Sequence, residues 1–188
     1  MNAIQEKTPS TAKSESDKLE ESAKLEMESA ERKPQIRIRP YAPGDFPAMH
    51  AVWIEADLHP FTEIEVDRLL NGGGGALVAE AVAPTGESAV VGTLLWSHNG
   101  QSAWLWKLAV AHHYRHQGIA RRLLRQVEQD AAAIGLSGVA LLTRETNTAA
   151  QRLYTREDWK KSAVHQFWGK RLTGKTADPK PHKEPTEC

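Results

Sequence analysis

Residues 108–120 read Leu-Ala-Val-Ala-His-His-Tyr-Arg-His-Gln-Gly-Ile-Ala. An apolar, strand-like run passes into a polar turn, then Gly118, then a helical pattern. Ile119, Ala120, Leu123, Leu124, Val127, Ala131 and Ile134 form one apolar stripe, Arg121, Arg122, Arg125, Gln126 and Gln129 lie opposite, and Gly135 ends the pattern. Amides at a helix start have no internal acceptors, and the helix dipole adds positive charge there, so a phosphate fits that end. Gly118 and Ala120 are small enough for close backbone approach, and Arg115, His116, Arg121 and Arg122 surround the turn. On its own the loop reads equally as a pyrophosphate cradle or as a plain strand–turn–helix with a basic surface.

Working outward, residues 36–39 alternate apolar and polar as a short strand does. Asp45 is placed to cap a helix that runs to about Leu58, with Pro47 in its first turn and Met49, Val52, Trp53 and Ala56 on one face. Ile64, Leu69 and Leu70 suggest a second, short helix, and the glycine run 72–75 after Asn71 reads as a flexible loop, because no Lys-Ser/Thr pair follows it. Strand-like runs at 76–81 and 90–97 are joined by a Pro84-Thr-Gly86 turn, and Asn99-Gly100 leads into a third run, 102–110. After the long helix come a strand at 139–143 and a helix capped by Asn147 that carries Ala150, Leu153 and Tyr154. Two closing strands are expected, one from Trp159 and one at 164–172. The order implies a mixed α/β fold, largely an antiparallel sheet with helices packed on it.

The folded unit is expected over 35–172. Residues 1–34 are rich in Ser, Glu and Lys with sparse apolar side chains, too few to offset ordering entropy of about 1–2 kcal/mol per residue. They read as a charged tail, or as a frayed helix that docks on something; 173–188 reads as a second tail. Across all 188 residues Lys+Arg is 24 and Asp+Glu is 24, which gives no whole-chain electrostatic case for nucleic acid or a membrane surface. The single Cys, Cys188, excludes an intrachain disulfide. No apolar run suits a transmembrane helix or a secretory signal, so a cytoplasmic location is the expectation. His112, His113 and His116 lack a second ligand cluster, and no metal is expected.

Arg115, Gly118 and Ala120 meet the Arg/Gln-x-x-Gly-x-Gly/Ala pattern of the GNAT acetyltransferase superfamily. Asn147, Ala150 and Tyr154 are similar to that family's Asn-x-x-Ala-x-x-x-Tyr segment. The preceding Leu-Ala-Val and the Ile36-Arg-Ile-Arg-Pro40 opening also resemble it, and the likeness covers about 36–172. The resemblance implies a GNAT-like, mostly antiparallel sheet flanked by helices, with acetyl-CoA as co-substrate. It implies that backbone groups of Leu108, Ala109 and Val110 bond the pantetheine arm, and that the Val110 amide polarises the thioester carbonyl. It implies that His116, Gln117, Gly118, Ile119, Ala120 and Arg121, beside Arg115, hold the pyrophosphate, that Asn147 contacts the cofactor, and that Tyr154 protonates the departing thiolate. A phenol with a pKa of about 10 suits an acid at neutral pH, although an aromatic on this helix equally suits core packing.

Two positions depart from the family. Trp104 stands where a carboxylate base is frequent, and Asp158 precedes Trp159 where glycine is usual. Asp tolerates a left-handed helix stop. Trp53, Trp96 and Trp159 fall on apolar faces and read as packing, whereas Trp104 and Trp106 are candidates for the acceptor cleft. His59 is another, as a base or as a plain loop residue before Pro60. Glu55, Asp57, Glu63, Glu65 and Asp67 make an acidic span that suits a cationic amine or a solvated helix face. The expected activity is N-acetylation of a small-molecule or peptide amine; the alternative is a non-catalytic acyl-CoA-binding regulator. A homodimer is left open by the sequence.

Overall fold

A computed structural model describes residues 33–162. Strand β1 (Gln35–Pro40) pairs antiparallel with β2 (Gly75–Val82), β2 with β3 (Ser88–His98), and β3 with β4 (Ser102–Val110). Strand β5 (Gly138–Leu141) joins β4 in parallel, so the sheet order is β1-β2-β3-β4-β5. Helices α1 (Phe46–Glu55) and α2 (Glu63–Asn71) connect β1 to β2; α3 (Ile119–Ala133) carries the chain from β4 to β5, and α4 (Thr148–Arg156) follows β5. This is the mixed α/β, mostly antiparallel architecture that the pattern implied.

Alternation along the strands divides the core between the two sheet faces. Leu77, Leu94, Leu105 and Val110 pack under the α3 stripe of Ile119, Leu123, Leu124 and Val127. Val78, Leu95 and Ala109 pack on the other face against Met49, Val52 and Trp53 of α1 and Val66 of α2. Local chemistry closes the elements: Thr62 and Glu65 form a capping box on α2, and Asn99 Oδ1 accepts from the amides of Gln101 and Ser102.

Five expectations change. Helix α1 stops at Glu55 instead of near Leu58, with Asp57 left-handed at φ 53. Asp45 does not cap it: its carboxylate accepts from Arg39 at 2.7 and 2.8 Å and from the Ala42 amide at 2.8 Å. Arg39 also reaches Glu80 at 3.0 Å, so this cation ties β1 to the turn before α1 and to β2. The glycine run is a close-packed junction: a Cβ on Gly74 would lie 2.4 Å from the Trp96 carbonyl oxygen, and one on Gly75 would lie 2.5 Å from Trp96 Nε1. Strand β5 ends at Leu141 and leaves Leu142 exposed. Residues 159–162 form no strand; Trp159 packs on the α3-side core and donates to Glu128 Oε1 at 3.0 Å. The second closing strand, 164–172, and the tails at 1–32 and 173–188 lie outside the described residues.

Candidate active site

The pairing of β4 with β5 runs only from Ser102–Gly138 to Leu105–Leu141, while β4 continues to Val110. A gap therefore opens beside the second half of β4. The Ala111 amide donates to Val91 O in β3 at 2.9 Å. Backbone groups alternate along a strand, so the Val110 N–H turns away from β3 and into the gap.

Helix α3 begins at the mouth of that gap. Its N-cap, Gly118, has φ 76, a left-handed value that costs a residue with a Cβ about 1–2 kcal/mol. No side chain caps the first-turn amides, so they remain free for an anion. The turn is held from within: Arg115 Nε donates to Val110 O at 3.0 Å, and Gln117 Nε2 donates to His113 O at 3.2 Å. Arg115 thus fixes the end of β4 as well as lending charge.

The gap widens into a cleft of about 690 Å³. Leu108, Ala109 and Val110 line it from β4. Arg115, His116, Gly118, Ile119, Ala120 and Arg121 line it from the turn and the start of α3, and Asn147 and Tyr154 line it from α4. Gln117 is not on its wall. Asn147 caps α4, with Oδ1 accepting from the Ala150 amide at 3.1 Å. The Tyr154 ring lies 5.7 Å from that of Trp159, and burial pushes its phenol above the ordinary value of 10.0. Desolvation penalises the phenolate, so the proton is retained through neutral pH.

Sequence reasoning missed Glu157. Its carboxylate is paired to Arg121 Nε at 2.7 Å and Arg125 Nε at 3.3 Å, and it lines the same cleft. The only local signal was a carboxylate just past α4, and its partners lie on another helix. Glu55 was read only as part of an acidic span. Its Oε1 accepts from the His112 amide at 2.5 Å and sits 3.4 Å from His112 Nδ1, joining the end of α1 to the turn after β4.

His59, Trp104 and Trp106 lie outside the cleft wall. Trp104 and Trp106 are 36% and 38% exposed, and Trp106 Nε1 donates to Ser97 Oγ at 2.9 Å. His59 enters through its backbone: Lys107 Nζ donates to the His59 carbonyl and stands 4.2 Å from the centre of the Phe61 ring. Burial pulls the Lys107 ammonium below its usual range. Among the described residues no three His, Cys, Asp or Glu side chains are grouped to hold a metal, and no helix is long and apolar enough to cross a membrane.

Known proteins resemble this chain in sequence and in fold. The sequence model of the Acetyltransferase (GNAT) family matches residues 38–158. An acetyltransferase of Pectobacterium atrosepticum is 30% identical over 128 residues, 66% of this chain and 87% of the relative. An acetyltransferase of Yersinia enterocolitica is 26% identical over 140 residues, 73% of this chain and 96% of the relative. The solved aminoglycoside N-acetyltransferase AAC(6')-Iy in complex with CoA aligns with a TM-score of 0.62 at 19% identity, over 76% of this chain and 99% of that one. A Trypanosoma brucei acetyltransferase aligns with a TM-score of 0.56 at 16% identity, over 72% of this chain and 99% of that one. At such identities the structural likeness speaks for the fold; the family match speaks for the chemistry. The chain belongs to the GNAT family of acetyltransferases.

Proposed function

We propose that this protein moves the acetyl group of acetyl-CoA to a primary amine, on a small molecule or a peptide, by direct attack. One arrangement carries the reading: Val110, the uncapped first turn of α3 and Tyr154 line a single cleft. The α3 amides and Arg115 suit the pyrophosphate. The free edge of Leu108–Val110 offers backbone partners to the amides of the pantetheine arm, as a neighbouring strand would. The amine nitrogen forms a bond to the thioester carbon, and the carbonyl oxygen gains charge that the Val110 N–H steadies. The carbon–sulfur bond then breaks with its electron pair leaving on sulfur, and Tyr154 gives the thiolate a proton. The acceptor ammonium gives up one proton to solvent before the neutral amine attacks, since Trp104 supplies no base. The bonded nitrogen loses a second as the intermediate collapses, which restores the Tyr154 phenol through solvent.

The test is thiol release and acetylated product from full-length protein, acetyl-CoA and a panel of amines. Aminoglycosides belong in that panel because structural neighbours carry that name, alongside polyamines, amino acids and peptides. Thiol release matched by product is the expected result. Binding of acetyl-CoA with no turnover across the panel would favour the non-catalytic reading, and absence of binding would defeat both.

A further inference from the structure

Thr93 is the one polar side chain fully buried among the described residues, and the reaction as drawn gives it no part. Its hydroxyl accepts from Trp53 Nε1 at 2.8 Å and donates to the Lys107 carbonyl at 2.8 Å. A hydroxyl has one hydrogen. Because the indole N–H occupies a lone pair, that hydrogen is directed to Lys107.

The Lys107 carbonyl belongs to the place where β4 leaves its ladder. Thr93 faces Ala109, but Leu95 faces Trp106, so β4 holds one extra residue between them. Lys107 itself is left-handed at φ 55. A bulge of this kind takes backbone groups out of strand pairing, and a buried carbonyl without a donor is costly. Thr93 supplies the donor from β3, and Trp53 orients it from α1.

The extra residue reverses the strand's parity. Ala103 and Leu105 belong to the α3-side core, and uninterrupted alternation would send Lys107 and Ala109 there too. Instead Ala109 packs on the α1/α2 side and Val110 on the α3 side. Backbone groups reverse with the side chains. Without the bulge the Val110 N–H would point into the β3 ladder rather than into the cleft.

We propose that Thr93, oriented by Trp53, is the positioning residue that holds the Lys107 bulge and thereby aims the Val110 amide at the thioester. This rests on the acetyl-transfer reading of Val110, and the experiment separates the two. Thr93→Val keeps the side-chain shape without the hydroxyl; Thr93→Ser keeps the hydroxyl. In full-length protein Thr93→Val should lower kcat about tenfold or more, below the ~10²–10³ of deleting an oxyanion donor outright. The KM for acetyl-CoA should move less than about threefold, because the lost contact is made in the transition state. Thr93→Ser should restore most of kcat. Amide resonances of residues 107–111 should shift in Thr93→Val, with faster exchange at Ala111, and return in Thr93→Ser. Val127→Ala in α3 is the stability control and should lower Tm without lowering kcat. If Thr93→Val does not fold, Trp53→Phe removes the orienting N–H along with part of a buried ring, and should lower kcat about threefold with the same amide shifts, more than Val127→Ala at matched Tm. Unchanged amides at 107–111 in Thr93→Val overturn the proposal, as does an equal kcat loss in Val127→Ala at matched Tm. Moved amides in a protein that never turns over acetyl-CoA would support the hold on the bulge and refute the acetyl-transfer reading.

Discussion

Tyr154→Phe tests the proton donor with little structural disturbance. The phenol is half-buried and has no hydrogen-bond partner among the described residues, so its removal orphans no other group. The ring contact with Trp159 at 5.7 Å survives in phenylalanine. Stability should therefore stay within about 0.5 kcal/mol of the parent. Catalysis should suffer much more. A positioned general acid contributes about 10²-fold or more, so kcat should fall by about that factor, equivalent to about 2.7 kcal/mol of barrier. Affinity for acetyl-CoA should hardly change, because the proton is needed only as sulfur departs. The pH dependence has a definite sign. Burial raises the phenol above 10.0, so the acid stays loaded at neutral pH and is lost only as pH climbs through that raised value. The parent should show this alkaline fall in kcat and the variant should not. Thiol release over a pH series, calorimetry with acetyl-CoA and thermal melting separate the outcomes. Near-parental kcat would mean that water or another group protonates the thiolate. Joint loss of binding and Tm would make Tyr154 a packing residue.

Gly118→Glu places a carboxylate at the uncapped start of α3. No atom lies within 4 Å of the new Cβ, so the free protein tolerates the side chain apart from the left-handed φ of 76. Calorimetry should show acetyl-CoA binding weakened at least about tenfold, or about 1.4 kcal/mol; unchanged affinity would remove the phosphate site from this turn. Arg39→Met strips Asp45 and Glu80 of their shared cation and should cost about 1–2 kcal/mol in denaturant unfolding, given the partial exposure of the cluster. Arg39 holds both carboxyls below their usual range, so the parent loses this stability as pH falls through the lowered values, and the variant's acid limb should be flatter. Gly74→Ala drives a Cβ to within 2.4 Å of the Trp96 carbonyl, backbone that cannot swing aside. Destabilisation of about 1–3 kcal/mol is expected, and an unchanged Tm would show the junction to be loose.

The sequence by itself determined what depends on near neighbours along the chain. The α3 stripe repeats at helical spacing, Asn99 bonds amides two and three residues on, and Asn147 caps its own helix. Such contacts form wherever the local chain goes, so the strand–turn–helix at 108–120 and the Asn147–Tyr154 helix could be read directly, and the family resemblance with them. Tertiary structure decided what depends on register between distant segments. Arg115 and Tyr154 were legible as residue types, but that the Arg115 guanidinium would bind the Val110 carbonyl was not. Asp45 was a plausible cap by spacing, yet Arg39 claims its carboxylate, since a bidentate ion pair outweighs a single cap. The glycines at 72–75 gave no hint of their neighbour, because Trp96 comes from the next strand. The bulge left one trace: Lys107 interrupts the buried alternation of Ala103, Leu105 and Ala109. A single lysine does not reveal a parity switch, however. That required Thr93 and Trp53, 40 residues apart in sequence, to meet in the core and give the displaced carbonyl its donor.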